Sequence, residues 1–98
     1  NKIMEENQTH SIYKLLKENL KTYMLELKAT IKQNGISRDL ANAMLLHRAS
    51  VWKEKMSSNY EVIRNSAHPS FGVFMSQEEF FRLVEQVHSE ILEESDNH

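Results

Sequence analysis

The sequence contains no cysteine. That excludes a disulfide scaffold, a thiolate metal site and a cysteine nucleophile. Glycine occurs twice and proline once in 98 residues. Sandwiches and barrels need turn residues at every corner, so an all-β fold is disfavoured and long helices are favoured. Two glycines also cannot form a glycine-rich phosphate loop or a G-x-S-x-G nucleophile elbow. The longest purely apolar run is Met44-Leu45-Leu46, far short of the roughly 20 residues that span a bilayer. No basic flank leads into an apolar stretch near the start, so no secretory signal is visible. These absences together point to a cytoplasmic protein with no membrane partner.

What is present is ordinary for a globular chain, with 40% hydrophobic and 27% charged residues. At this mass, surface scaling gives roughly 5,800 Å² folded against roughly 16,700 Å² for the open chain. That supports one modest core and a single helical domain over residues 1–98, with about 1–8 and 95–98 frayed.

Apolar spacing divides the chain into helices. Ile12, Leu16, Leu20, Tyr23, Leu27 and Ile31 recur at steps of three and four, with Leu15 and Met24 widening the stripe. This predicts a first helix from about Thr9 to Gln33, about 37 Å long. Asn34-Gly35 ends it, with Gly35 in the left-handed conformation and Ile36 against Ile31. Ser37 caps a second helix carrying Leu40, Met44, Leu45, Ala49, Trp52 and Met56. Ser57-Ser58-Asn59 is a weak break before a short third helix with Tyr60, Ile63 and Ala67, which must stop before Pro69. Ser76 and Glu79 form a capping box for the last helix, with Met75 and Phe80 at the staple positions. Its buried face reads Phe80, Val84, Val87 and Ile91. The expected fold is therefore all-α: a small antiparallel helical bundle of three long helices plus one short helix.

Charge is unevenly distributed. Residues 1–27 balance, residues 28–64 are basic through Lys28, Lys32, Arg38, Arg48, Lys53, Lys55 and Arg64, and residues 65–98 are strongly acidic, with Arg82 the only cation. One reading lays the acidic last helix beside the basic middle one. The other leaves a basic face for nucleic acid or an acidic face for a basic partner.

Residues 40–53 carry a further pattern. Leu40-Ala41, Met44, Leu46 and Ser50-Val51 fall in the register of a helix-turn-helix, and the stretch resembles DNA readers of the phage-repressor type. The turn position, usually glycine in that family, is Leu45. The resemblance implies a DNA-binding regulator using residues 38–55, with Arg38, His47, Arg48 and Lys53 directed to DNA. A straight helix explains the same residues without a turn, because Leu45, Ala49, Trp52 and Met56 then share one face.

Other chemistry is sparse. Glu85 and His88 share a helix face at i, i+3, but a carboxylate-bridged di-metal bundle needs two such pairs and two further glutamates. No catalytic residue, metal or cofactor is assigned. The leading functional expectation is a non-enzymatic protein-binding module: an adaptor, inhibitor or regulatory subunit. Phe71, Val73 and Phe74 in the apolar connection are its expected anchors, and Glu85, Glu90 and Glu93 its charged rim. The partner is another protein, a second copy of the chain included. The helix-turn-helix regulator is the alternative.

Overall fold

The computed structural model describes the backbone of residues 2–66 and 73–96, and the side chains of residues 8–66 and 73–94. Four helices follow one another: α1 (Lys2–Asn34), α2 (Arg38–Ser58), α3 (Tyr60–Ser66) and α4 (Gln77–Asp96). The described residues contain no strand.

α1 begins before the expected Thr9, and α4 reaches Asp96. Neither glycine nor proline interrupts residues 2–8 or 91–96, so the sequence there contains no helix breaker. At its far end α1 stops as its sequence indicates. Gly35 takes φ 62°, and the Ile36 N–H reaches back to the Ile31 carbonyl at 3.3 Å. A Cβ added at Gly35 would meet no atom within 4 Å, so the glycine is required by its dihedral and not by crowding. The Ser37 hydroxyl then accepts from the Leu40 N–H at 3.4 Å, starting α2.

α2 runs unbroken through Leu45, and no described residue other than glycine has a positive φ. The helix-turn-helix turn is therefore not formed. A turn there would break the ladder and separate Leu45 from Ala49, Trp52 and Met56, which all pack on the core. The break at Ser57-Asn59 is a one-residue step. Asn59 has φ −97° and ψ 11°, and its N–H is shared between the Lys55 and Met56 carbonyls. Its own carbonyl then starts α3 by accepting from the Ile63 N–H at 2.9 Å.

Polar contacts fix the directions of the helices. Trp52 Nε1 donates to Asn19 Oδ1 at 2.8 Å, and Arg48 Nε donates to the Tyr23 carbonyl at 3.1 Å. α2 thus descends as α1 ascends. Gln8 meets the Val73 carbonyl, while Lys17 and Lys21 meet Glu94, so α4 ascends beside α1. Each long helix is antiparallel to its neighbour in the chain. The acidic α4 is neutralised mainly by lysines of α1; α2 contributes the Lys53–Glu85 pair. The acidic last helix does lie beside the basic middle one, but most of its ion pairs are with α1.

The core lies where all three long helices overlap. α1 supplies Ile12, Leu16, Leu20 and Met24, α2 supplies Ala49 and Trp52, and α4 supplies Phe80, Leu83, Val84, Val87 and Ile91. Its lower end is closed by a ring cluster in which Tyr60 lies 5.4 Å from Phe80 and 6.0 Å from Phe74. The buried Tyr60 hydroxyl donates to the Met75 carbonyl at 2.6 Å, so this aromatic end leaves no hydroxyl unpaired.

Above Met24 on α1 and before Ala49 on α2 no residue is fully buried. Residues 25–34 and 38–48 form a two-helix arm about 15 Å long. The molecule is accordingly elongated, 50 × 25 × 19 Å. Its accessible surface is 7114 Å², against roughly 5,800 Å² for a compact chain of this mass.

Leu20 is inaccessible and Leu15, five positions away on the same helix, is 58% exposed. Leu20→Ala should cost about 2–5 kcal/mol in denaturant unfolding, and Leu15→Ala less than about 0.5 kcal/mol. Equal losses would show that the two faces of α1 are misassigned.

Candidate functional site

The residues expected to form a docking patch are divided by the fold. Val73 is 93% exposed, but its carbonyl is held by Gln8 Nε2 at 3.0 Å. Phe74 is half-buried and belongs to the ring cluster, 6.3 Å from Phe80. Phe71 lies outside the described residues. Of the rim, Glu85 is paired with Lys53 at 3.3 Å. Glu90 accepts hydrogen bonds from the Tyr13 hydroxyl and, at 3.1 Å, from Gln86 Nε2. The Tyr13 bond, then the Gln86 bond, hold the Glu90 carboxyl below the usual carboxylate range. Glu93 is exposed and makes no ion pair with a described residue. Val73 precedes α4 and Glu93 lies in its last turn, and the helix rises about 24 Å from Gln77 to Glu93. Anchors and rim do not converge on one patch.

The residues expected to face DNA are also dispersed. Arg38 and His47 are exposed. The Arg48 guanidinium stacks 4.0 Å above the Tyr23 ring and lies 3.6 Å from Glu26. Lys53 is held by Glu85. At about 100° per residue these four positions point to different sides of one straight helix. A recognition helix must instead present them together to one groove.

His88 lies where α4 faces α2. With Ser50, Lys53, Glu54, Ser57 and Ser58 it lines an open depression of about 510 Å³. Its Nε2 is buried and has no hydrogen-bond partner among the described residues. Burial, followed by the nearby Lys53 charge, moves its pKa below the ordinary imidazole value, against the opposing pull of Glu85. Glu54 shares the depression with His88, while Glu85 is paired with Lys53. Among the described residues no group of three or more His, Asp or Glu could hold a metal. No helix there is long and apolar enough to cross a membrane.

The arm is the feature that sequence reading missed. On α1, Lys17, Lys21, Leu25, Lys28 and Lys32 step by threes and fours along one flank. Lys17 and Lys21 are paired to α4 at its Glu90 and Glu94. Lys28 and Lys32 continue that flank beyond α4 and make no ion pair with a described residue. On α2, Leu46, Ser50, Lys53 and Ser57 share the flank that faces α4. Leu46 is 51% exposed and Leu25 65%. Leu27, Ile31 and Leu45 are half-buried, and their helical spacing puts them on the seam between α1 and α2. The slot that α4 fills in the lower bundle thus continues upward with no described residue filling it. On the other side, at the base of the arm, Arg48 and Lys55 both lie over the Tyr23 ring. The signal was present in sequence. The apolar stripe of α1 runs on to Ile31 and that of α2 starts at Leu40, whereas α4 has no matching length.

No protein-family model matches this chain. No curated protein and no solved structure shows significant similarity to it.

The state of His88 links stability to pH. Its folded pKa lies below its unfolded value of about 6.5, so the unfolded chain binds the proton more tightly. This contribution is complete above about pH 6.5 and is lost as pH falls below it. Denaturation midpoints between pH 7.5 and 5 should therefore fall for the native chain and fall less for His88→Gln. Parallel curves would remove His88 as the cause.

Proposed function

We propose that this chain is a non-enzymatic protein-binding helical module, acting by docking as an adaptor, inhibitor or regulatory subunit does. The observation that carries the reading is the upper slot of the α1–α2 arm, which no described residue fills. Leu25 and Leu46 are more than half exposed beside the half-buried Leu27, Ile31 and Leu45. Two helices cannot bury a seam that is patterned for three, and apolar surface left along such a seam favours association at about 25 cal/mol per Å² covered.

Lys28 and Lys32 set the kind of partner the slot accepts. They stand on the flank where Lys17 and Lys21 hold the acids of α4. A partner that brings an apolar helical face to the slot and carboxylates within reach of its lysines would meet the same chemistry above Met24 that α4 meets below it. The exposed Val73 lies outside the slot and is assigned no anchoring role. The DNA-binding alternative draws no support from α2, whose Arg48 and Lys53 are held by other side chains.

Site-specific photo-crosslinking tests this reading. Leu46 and Leu15 have similar exposure, 51% and 58%, but only Leu46 lies in the slot. A photoreactive residue at position 46 should give protein adducts in an extract of the native cells, and one at position 15 should give few. Equal yields at the two positions would overturn the assignment of the arm as the docking face.

A further inference from the structure

Rested on that reading, the occupant can be narrowed further. We infer that the slot of the arm takes the arm of a second copy of this chain, in an antiparallel two-fold pair. The argument is one of charge and length. The tip of the arm carries Lys28, Lys32 and Arg38, none of which makes an ion pair with a described residue. The upper end of α4 carries Glu93, Glu94 and Asp96 in its last turn and no basic residue there. A helix C-terminus already bears partial negative charge, so acids at that end are unfavourable unless cations approach. Lys17 and Lys21 supply two cations to Glu94. Glu93 receives none from a described residue.

Within one copy the tip and the end of α4 are separated by the length of the arm, about 15 Å. They cannot meet. If two arms lie antiparallel, face to face in their open slots, that same length brings each tip level with the upper end of the other copy's α4. Lys32 and Arg38 of one copy then stand beside the second copy's Glu93 and Glu94, and the symmetry makes this pairing twice. The four arm helices form a short four-helix bundle over Leu27, Ile31 and Leu45 of both copies. Isologous contact is the least demanding way to cover such a face, because one surface serves as both partners.

The contact is limited to a 15 Å arm, which places it at the small end of specific interfaces. The pair should therefore be reversible, concentration-dependent and weakened by salt. Sedimentation equilibrium of the native chain should show mass rising from 11.5 kDa toward twice that value as concentration approaches about 1 mM, and falling back in high salt.

Charge reversal provides the specific test. Lys32→Glu alone, or Glu93→Lys alone, places like charges at both crossings and should weaken pairing roughly tenfold or more. Mixing the two variants should restore it, because both crossings of the mixed pair are again opposite in sign. Both positions are exposed, so neither variant should fail to fold, and unchanged helix content would verify this. A mass of 11.5 kDa at every concentration overturns the inference, as does a pair that neither variant weakens or that mixing does not restore. A monomeric chain whose position 46 still crosslinks another protein would leave the docking reading standing and assign the slot to that protein. Failure of both experiments would remove the docking reading as well.

Discussion

A helix patterned on one face needs neighbours along its whole length, and here the neighbours differ in length. α1 has 33 residues, α2 21 and α4 20, or about 50, 32 and 30 Å. Where all three run together, the chain has an interior. Leu20, Trp52, Phe80, Val84 and Val87 are all nearly or wholly inaccessible there. Where α4 has ended, the same apolar spacing on α1 and α2 meets only one neighbour, and its side chains remain half-buried. The arm is therefore the upper part of the bundle's own hydrophobic pattern, continued without its third wall. Its helical state follows from local causes, the Gly35 and Ser37 caps and the unbroken ladder of α2. Its lack of an interior follows from the length of α4.

The electrostatics follow the same geometry. Lys17 and Lys21 meet Glu90 and Glu94 at 3.2 to 3.9 Å. These pairs are partly exposed, and contacts of that kind are each worth only about 0–1 kcal/mol. Their consequence lies more in register than in stability. Together with the Tyr13–Glu90 bond they fix how far α4 rises along α1, and so where the open slot begins. On the opposite side of α1, the stacked Arg48 and Tyr23 hold α2 at the base of the arm. The two helices are thereby clamped together where the arm begins, and the flank above α4 is left open by the described residues.

Much of this architecture was legible in the residues. The turn at Gly35, the Ser37 and Ser76 caps and the buried stripe of α4 each depend on local chemistry that sequence displays directly. The helix-turn-helix register illustrates the opposite case. Leu40-Ala41, Met44 and Ser50-Val51 fit that pattern, yet a straight helix satisfies the same spacing and keeps Leu45 on the core. With a leucine and no glycine at the turn, the continuous ladder wins. The apolar connection was legible only in part. Its hydrophobicity was plain, but alternation along a short segment does not say which side chain turns inward. Phe74 packs on Tyr60 and Phe80, and Val73 faces solvent. The described members of the expected patch are spread over the fold, because Phe74 turns into the ring cluster while α4 carries Glu93 to its far end.

The arm needed a different kind of inference, one that compares elements instead of reading each alone. Every stripe was visible, but nothing within α1 shows that its upper half lacks a neighbour. That becomes apparent only when the span of α4 is set against the span of α1 in the register fixed by Lys17, Lys21 and Glu94. The same comparison distinguishes the two groups of lysines on one flank. Lys17 and Lys21 serve the fold because an acidic helix lies beside them. Lys28 and Lys32 are of the same type, at the same spacing and on the same flank, but α4 has already ended. Cations that are structural in one turn of α1 are thus available for association in the next, and the difference between them is the length of another helix.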